Sequence, residues 1–234
     1  VPGPEVGTIF SSRLDISQIT LGFWQKNTEL GRIKFRFFNQ TDPVNDVSIT
    51  LSPFYTEITG LPAARRFYGN ALPNDNSWHQ IFLVIDKNQD GWRLYIDGQF
   101  VREGFFDVIF TGDYDTFAFG DGNGRPLIDE VALWGRPLSS SEIAAAYSQL
   151  LPFSPIEKRV APVTPEVVAD WSFDERQGIV AMDALGQNSI NLSESLWTRS
   201  GYRDGGLRWN SGSQESIFSD LDSTISSADV AFDF

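Results

Sequence analysis

The chemistry open to this chain belongs to carboxylates, amides and aromatic rings. There is no cysteine and a single histidine, which removes thiol nucleophiles, disulfides, cysteine-type zinc sites and most histidine-based triads. His79 follows Trp78 in an apolar run with no nucleophilic serine motif beside it, so it reads as structural. Glycoside cleavage needs two carboxyls at a fixed separation. Asp129 and Glu130 are adjacent on one strand, and alternation sends adjacent side chains to opposite faces. Asp86-Lys-Asn-Gln-Asp-Gly91 lacks the spaced oxygens and closing glutamate of an EF-hand loop, and Asp113, Asp115 and Asp121 flank glycine-rich turns. Sugar binding asks for less: an exposed ring to stack on a pyranose and nearby carboxylates or amides to hold its hydroxyls. Tyr55, Tyr68, Trp92, Phe105 and Phe106 lie in or beside loops and are the candidate platforms, while Trp24, Trp78 and Trp134 are assigned to the core.

The elements that position these residues are short strands. Ile19-Thr-Leu-Gly-Phe-Trp24 is followed by Gly31-Arg-Ile-Lys-Phe-Arg-Phe-Phe38, where apolar and basic residues alternate as in a strand with one wet face. Val47-Ser-Ile-Thr-Leu51 repeats the pattern, and the stretch from Pro53 to Asn76 is a long, loop-rich candidate for function. Trp78-His-Gln-Ile-Phe-Leu-Val-Ile85 is apolar on both faces and therefore central. Asp97-Gly98 between Trp92-Arg-Leu-Tyr-Ile96 and Gln99-Phe-Val101 is a two-residue type I′ hairpin signal. Thr116–Gly120 and Leu127–Trp134 complete the strands. Ser139 and Glu142 form a capping box ahead of one short helix near residues 140–149.

Four of these blocks carry a resemblance: the Trp-His strand, Leu94-Tyr-Ile-Asp-Gly98, Ile128-Asp-Glu-Val-Ala-Leu-Trp134, and Arg136-Pro-Leu-Ser-Ser-Ser-Glu-Ile-Ala-Ala-Ala-Tyr147. Their order and spacing from about residue 19 to 150 resemble the laminin-G-like, concanavalin A-like lectin and glucanase domains. The resemblance implies an all-β fold, an antiparallel jelly-roll sandwich of two sheets. Polysaccharide-cleaving enzymes of that fold set acids in a Glu-x-Asp-x-x-Glu pattern on one strand, and no strand here offers it.

After residue 150 the pattern restarts. Residues 151–166 hold Pro152, Pro155, Pro162 and Pro165 and read as a stiff linker. Val167-Val-Ala-Asp-Trp-Ser-Phe-Asp-Glu175, with Met182–Asn188 and Gly205–Asn210, resembles the opening of a second copy. Glu215-Ser-Ile-Phe-Ser with Ala231-Phe-Asp-Phe234 parallels Val6-Gly-Thr-Ile-Phe-Ser with Leu21-Gly-Phe-Trp24. Residues 1–150 are thus expected to be a sandwich lacking its opening strands, and 167–234 the opening strands of a second copy. Three arrangements satisfy this: a window from a tandem array, residues 167–214 folding back to complete the chain's own sandwich, or strands donated to a neighbouring subunit. The resemblance also implies a structural calcium, joining Asp129 in the late strand to Asp174, Asp183 and Asn188 of the opening segment.

The net charge of −13 makes nucleic acid and anionic membranes poor partners, and no run spans a bilayer. Residues 1–166 carry 14 basic and 20 acidic side chains, and 167–234 carry 4 and 11. The absence of cysteine in a domain of this kind points to a microbial source, and the start at Val1 to a processed or excised N-terminus. Asn39-Gln-Thr41 and Asn191-Leu-Ser193 are glycosylation acceptor patterns. The expectation is a non-enzymatic extracellular or cell-surface protein. It is structural or adhesive, assembling with copies of itself or neighbouring repeats as a filament subunit. The alternative is a carbohydrate-binding module whose partners are glycans.

Overall fold

In Arg32–Phe38 the residues Ile33, Phe35 and Phe37 fall on one side of a strand and Arg32, Lys34 and Arg36 on the other, and that alternation divides core from surface. A computed structural model describes residues 5–27, 30–39, 46–60, 64–69, 72–89, 91–105, 114–123, 126–150, 167–192 and 196–208; for 5–14, 121–123 and 149–150 the backbone alone is described. In chain order the longer strands are β1 (Glu5–Leu14), β2 (Gln18–Lys26), β3 (Arg32–Phe38), β4 (Val47–Leu51), β5 (Tyr55–Thr59), β6 (Arg65–Tyr68), β7 (Trp78–Asp86), β8 (Gly91–Ile96), β9 (Gln99–Phe105), β10 (Tyr114–Asn123) and β11 (Leu127–Trp134). A helix, α1 (Ser140–Leu150), precedes β12 (Val167–Trp171) and the short β13 (Val180–Ala181), β14 (Ile190–Asn191), β15 (Trp197–Thr198) and β16 (Gly206–Arg208).

Two antiparallel sheets face each other. One runs β1-β10-β3-β4-β5-β6 and the other β15-β16-β11-β2-β7-β8-β9. Between them lie Leu21, Phe23, Ile81, Leu83 and Ile85 from the second sheet, against Phe35, Phe37, Phe117 and Phe119 from the first. Phe35 meets Phe23 at 5.1 Å and Phe117 at 6.1 Å between ring centroids. Each such buried ring removes enough apolar surface from water to contribute roughly 2–3 kcal/mol.

The outer face of the second sheet carries α1. Ile143 and Leu138 pack on Phe82, Val84 and Tyr95. The helix starts at the expected box: Ser139 N–H donates to Glu142 Oε2 at 2.8 Å and Glu142 N–H donates back to Ser139 Oγ at 3.3 Å. Gly22 lies beneath this layer because a Cβ there would sit 2.6 Å from Phe82 and 2.8 Å from Trp134. Trp78 and Trp134 are half-buried in this outer layer instead of filling the core, because their strand phase points them away from the facing sheet. The Asp97-Gly98 turn has positive φ at both central residues, 52° and 75°, as a type I′ hairpin requires.

Within this chain the C-terminal segment closes the far edge of β11. Val131–Trp134 pair with β12, and Leu127 and Ile128 pair with β16. Trp171 and Phe173 enter the core beside Phe117 and Phe119. The expected linker at 151–166, the repeated segment at 215–234, Phe106 and Asp113 lie outside the described residues, as do Gln40 and Thr41 of one glycosylation pattern and Ser193 of the other.

Candidate functional site

Alternation on β5 turns Thr56 and Ile58 inward and leaves Tyr55 and Glu57 on the outer face of the six-stranded sheet. The neighbouring edge strand β6 does the same with Arg66 and Tyr68. Antiparallel register sets Tyr55 opposite Tyr68 and Glu57 opposite Arg66. Such cross-strand pairs bring their side chains into contact. Arg66 Nε and Nη2 both donate to Glu57 Oε1, at 3.1 and 2.8 Å, and the guanidinium lies 4.4 Å from the Tyr55 ring centroid. Hydrogen bonds to Glu57 and then Tyr68 hold the Arg66 pKa above its ordinary value, so this cation is permanent. Arg32 on β3 donates from Nη1 to the Tyr55 hydroxyl at 3.3 Å. Lys34 occupies the next row, opposite Thr50, which is opposite Glu57.

Of the five rings named as sugar platforms, the structure brings two together. Tyr68 is 75% exposed and its ring is the open surface of the site, whereas the face of Tyr55 is covered by Arg66. Phe54 joins them, 55% exposed, its carbonyl accepting from Gly69 N–H at 2.8 Å. Trp92 is a correction: it is 0% exposed, edge-on to Phe67 at 5.1 Å, with Gly104 opposite it because a Cβ there would come within 2.6 Å of the indole. Phe105 is exposed but belongs to β9 on the other sheet. Its strand does approach the site, through Arg102, which donates to the Tyr68 carbonyl at 3.2 Å. Arg66, Glu57 and Arg32 were not singled out from the sequence. The signal for Arg32 is the basic and apolar alternation of β3, but the pairing of Glu57 with Arg66 depends on hairpin register that a loop-rich stretch does not declare.

The four residues named for calcium fall into two groups. Asp183 Oδ1 accepts the N–H of Asp170 and Leu185 at 3.0 and 3.1 Å, and Oδ2 those of Gln187 and Asn188 at 3.1 and 2.9 Å. Asn188 Nδ2 donates to the Val168 carbonyl at 3.0 Å. Elsewhere Asp129 accepts the N–H of Glu130 and Arg203 at 2.9 and 3.0 Å, and Asp174 that of Gly205 at 3.2 Å. Calcium wants six or more oxygens with lone pairs turned towards it. Here those lone pairs meet backbone N–H donors, and among the described residues no group of three or more acidic, histidine or cysteine side chains is disposed to hold a metal. Asp183, which accepts four N–H groups, clips its own loop, whereas Asp129 and Asp174 hold the 201–206 loop with one N–H on each bonded oxygen and keep further lone pairs.

Asp129 and Glu130 also depart from simple alternation. Glu130 has φ of 51°, the register with β2 shifts there, and both carboxylates are turned towards Arg203, Glu130 Oε1 at 3.9 Å from its Nε. Burial, with Glu130 adding to it, pushes the Asp129 carboxyl well above the usual range. Both are buried under the 201–206 loop. His79 is held at both nitrogens, Nδ1 2.7 Å from Asp97 Oδ2 and Nε2 3.0 Å from Asp75 Oδ1, which is a structural arrangement.

A family model described as the concanavalin A-like lectin/glucanases superfamily, of laminin G type, matches residues 7–144. No curated protein matches the chain. Solved structures similar in fold include a candidate carbohydrate binding protein from Bacteroides ovatus, at 13% identity over 82% of this chain and 58% of that one with a TM-score of 0.47. The binding domain of botulinum neurotoxin DC, solved with rat synaptotagmin II, is 9% identical over 62% and 42%, TM-score 0.45. Botulinum neurotoxin type C, whose cell entry depends on two ganglioside molecules, is 10% identical over 65% and 44%, TM-score 0.46. The chain spans less than two thirds of each.

Proposed function

Since the chain belongs to the concanavalin A-like lectin/glucanases superfamily, we propose that it is a non-catalytic, extracellular saccharide-binding domain, with its site on the outer face of the six-stranded sheet. One observation carries the reading: the exposed Tyr68 ring is flanked by the hydrogen-bonding Glu57, Arg66 and Tyr55 on a rigid hairpin. A stacking ring with fixed polar neighbours suits a pyranose, whose faces are apolar and whose rim is hydroxyl. Binding is favoured over cleavage because the adjacent acids Asp129 and Glu130 are buried and committed to the 201–206 loop. Titration calorimetry against an oligosaccharide panel tests it. Tyr68→Ala should weaken binding about tenfold, the usual effect of truncating an aromatic anchor, with unfolding unchanged. An unaltered affinity in Tyr68→Ala would remove the site.

A structural or adhesive filament is the second reading. The observation favouring it is that β11 is closed by strands lying beyond a 16-residue segment, so the same pairing made between copies yields an open chain.

A further inference from the structure

Residues 32–68, which build β3 to β6, carry five basic and three acidic side chains, a net of +2 in a chain of net −13. Positive charge is therefore concentrated on the sheet that bears Tyr68. Two ordinary explanations cover part of it. Arginines on β6 guard an unpaired sheet edge against other strands. The alternation on β3 gives a strand its wet face. Edge protection does not explain Arg32 and Lys34, because β3 lies inside the sheet between β10 and β4. A wet face needs polarity but not one sign. Around Lys34 the cross-strand neighbours are Gly120 and Thr50, and among the described residues no carboxylate pairs with it.

We propose that the saccharide taken by this face is anionic, carrying a carboxylate or sulfate, with Arg66, Arg32 and Lys34 as the anion-holding groups; this rests on the saccharide-binding reading above. Arg66 is committed through two N–H groups to one oxygen of Glu57, and a guanidinium has five such donors in a rigid fork suited to planar anions. Its position over Tyr55 holds that fork beside the exposed Tyr68 ring, so a sugar stacked on Tyr68 has its ring substituents within reach. Arg32 bonded to the Tyr55 hydroxyl and Lys34 one row on extend the cationic strip along the sheet. The acidic remainder of the molecule repels an anion, which leaves this strip as the favoured landing place and makes encounter sensitive to salt.

The test uses the whole chain and three tetrasaccharides: a galacturonate tetramer, its carboxyl-reduced galactose counterpart, and a sulfated galactan tetramer. At 50 mM salt at least one anionic tetramer should bind tenfold or more tighter than the neutral one, and that preference should shrink several-fold at 500 mM. The carboxylate and sulfate arms show which anion is preferred. Lys34→Gln should weaken the anionic tetramer several-fold and leave the neutral one unchanged, while Lys87→Gln, in the turn after β7 of the other sheet, should change neither. Because Arg66→Gln also frees Glu57, circular dichroism and the thermal midpoint accompany it, and Lys34→Gln stands as the variant that breaks no pair. Equal, salt-indifferent affinity for neutral and anionic tetramers overturns the charge inference and leaves the binding face intact. Absence of binding by all three overturns both.

Discussion

His79 has both ring nitrogens committed to carboxylates, and this fixes a pH dependence. Burial works against its charge but is outweighed by the hydrogen bonds to Asp97 and Asp75, so its pKa is raised above 6.5. A raised folded value means the imidazolium stabilises fully below pH 6.5 and loses that contribution as pH rises through the folded value. Asp75 runs the other way. The Ser77 N–H and then His79 depress it below 3.8, so its contribution is present above that pH and is lost on acidification. The Asp75–His79–Asp97 unit therefore works best between roughly pH 4 and 6.5. His79→Gln should lower the thermal midpoint by about 2 °C at pH 6, a half-exposed pair being worth little, and by less at pH 9. A drop independent of pH would mean that packing, not charge, is what the ring supplies. Asp183 is a stronger case because it is buried. Replacing it by Ala leaves N–H groups of Asp170, Leu185, Gln187 and Asn188 without an acceptor, at a cost of about 3 kcal/mol in denaturant unfolding. Asp183→Asn should recover only part of it, since the amide NH2 confronts a donor. The Asp183 contribution should not respond to EDTA, because its oxygens already accept four backbone N–H groups; a fall in stability on chelation would show a bound divalent cation.

At the scale of elements, what was legible in the sequence is what local chemistry decides. Asp97-Gly98 declares its turn because both central residues need positive φ, and Ser139 with Glu142 declares a helix start because each side chain caps the other's N–H. Arg136, then Ser139, draws the Glu142 carboxyl down to about 2, so the box holds at every ordinary pH. Ser139→Ala should cost about 1 kcal/mol, read as a shift in the denaturant midpoint. What was not legible depends on partners distant in the chain. Trp92 begins an alternating strand beside a turn, and nothing nearby tells its phase; the core takes it because Phe67 and Gly104, on other strands, make room. The bulge at Glu130 breaks the rule that adjacent residues face apart, and it exists where β11 changes partner from β16 to β12. Half of the candidate site shows the same limit: Tyr55 and Tyr68 were found by type, whereas Glu57 and Arg66 required the register of the β5–β6 hairpin.

For the whole molecule the question is whose β11 the strands at 167–208 close. Here they close the chain's own, and a tether of 16 residues keeps them near it at an effective concentration of order millimolar. At micromolar protein the same pairing between copies competes poorly with that. Light scattering should therefore return a monomer of 26.2 kDa, with or without EDTA. The tether's length is what makes the difference. Tyr147, near the end of α1, packs on Gly98 of the β8–β9 turn, and β12 lies four strand positions from β8 across β11, β2 and β7. At about 4.8 Å per strand the chain has roughly 19 Å to cross. Sixteen residues do so easily, whereas four residues reach only about 14 Å. Deleting twelve residues from 151–166 should forbid self-closure and convert the monomer into species whose mass grows with concentration, since an unclosed β11 edge recruits β12 from another copy. A deletion variant that stays monomeric would mean that β12 is not needed to seal that edge. A wild-type chain already polymeric at micromolar concentration would mean that exchange is the native pairing, and the filament reading would then displace the monomeric binding domain.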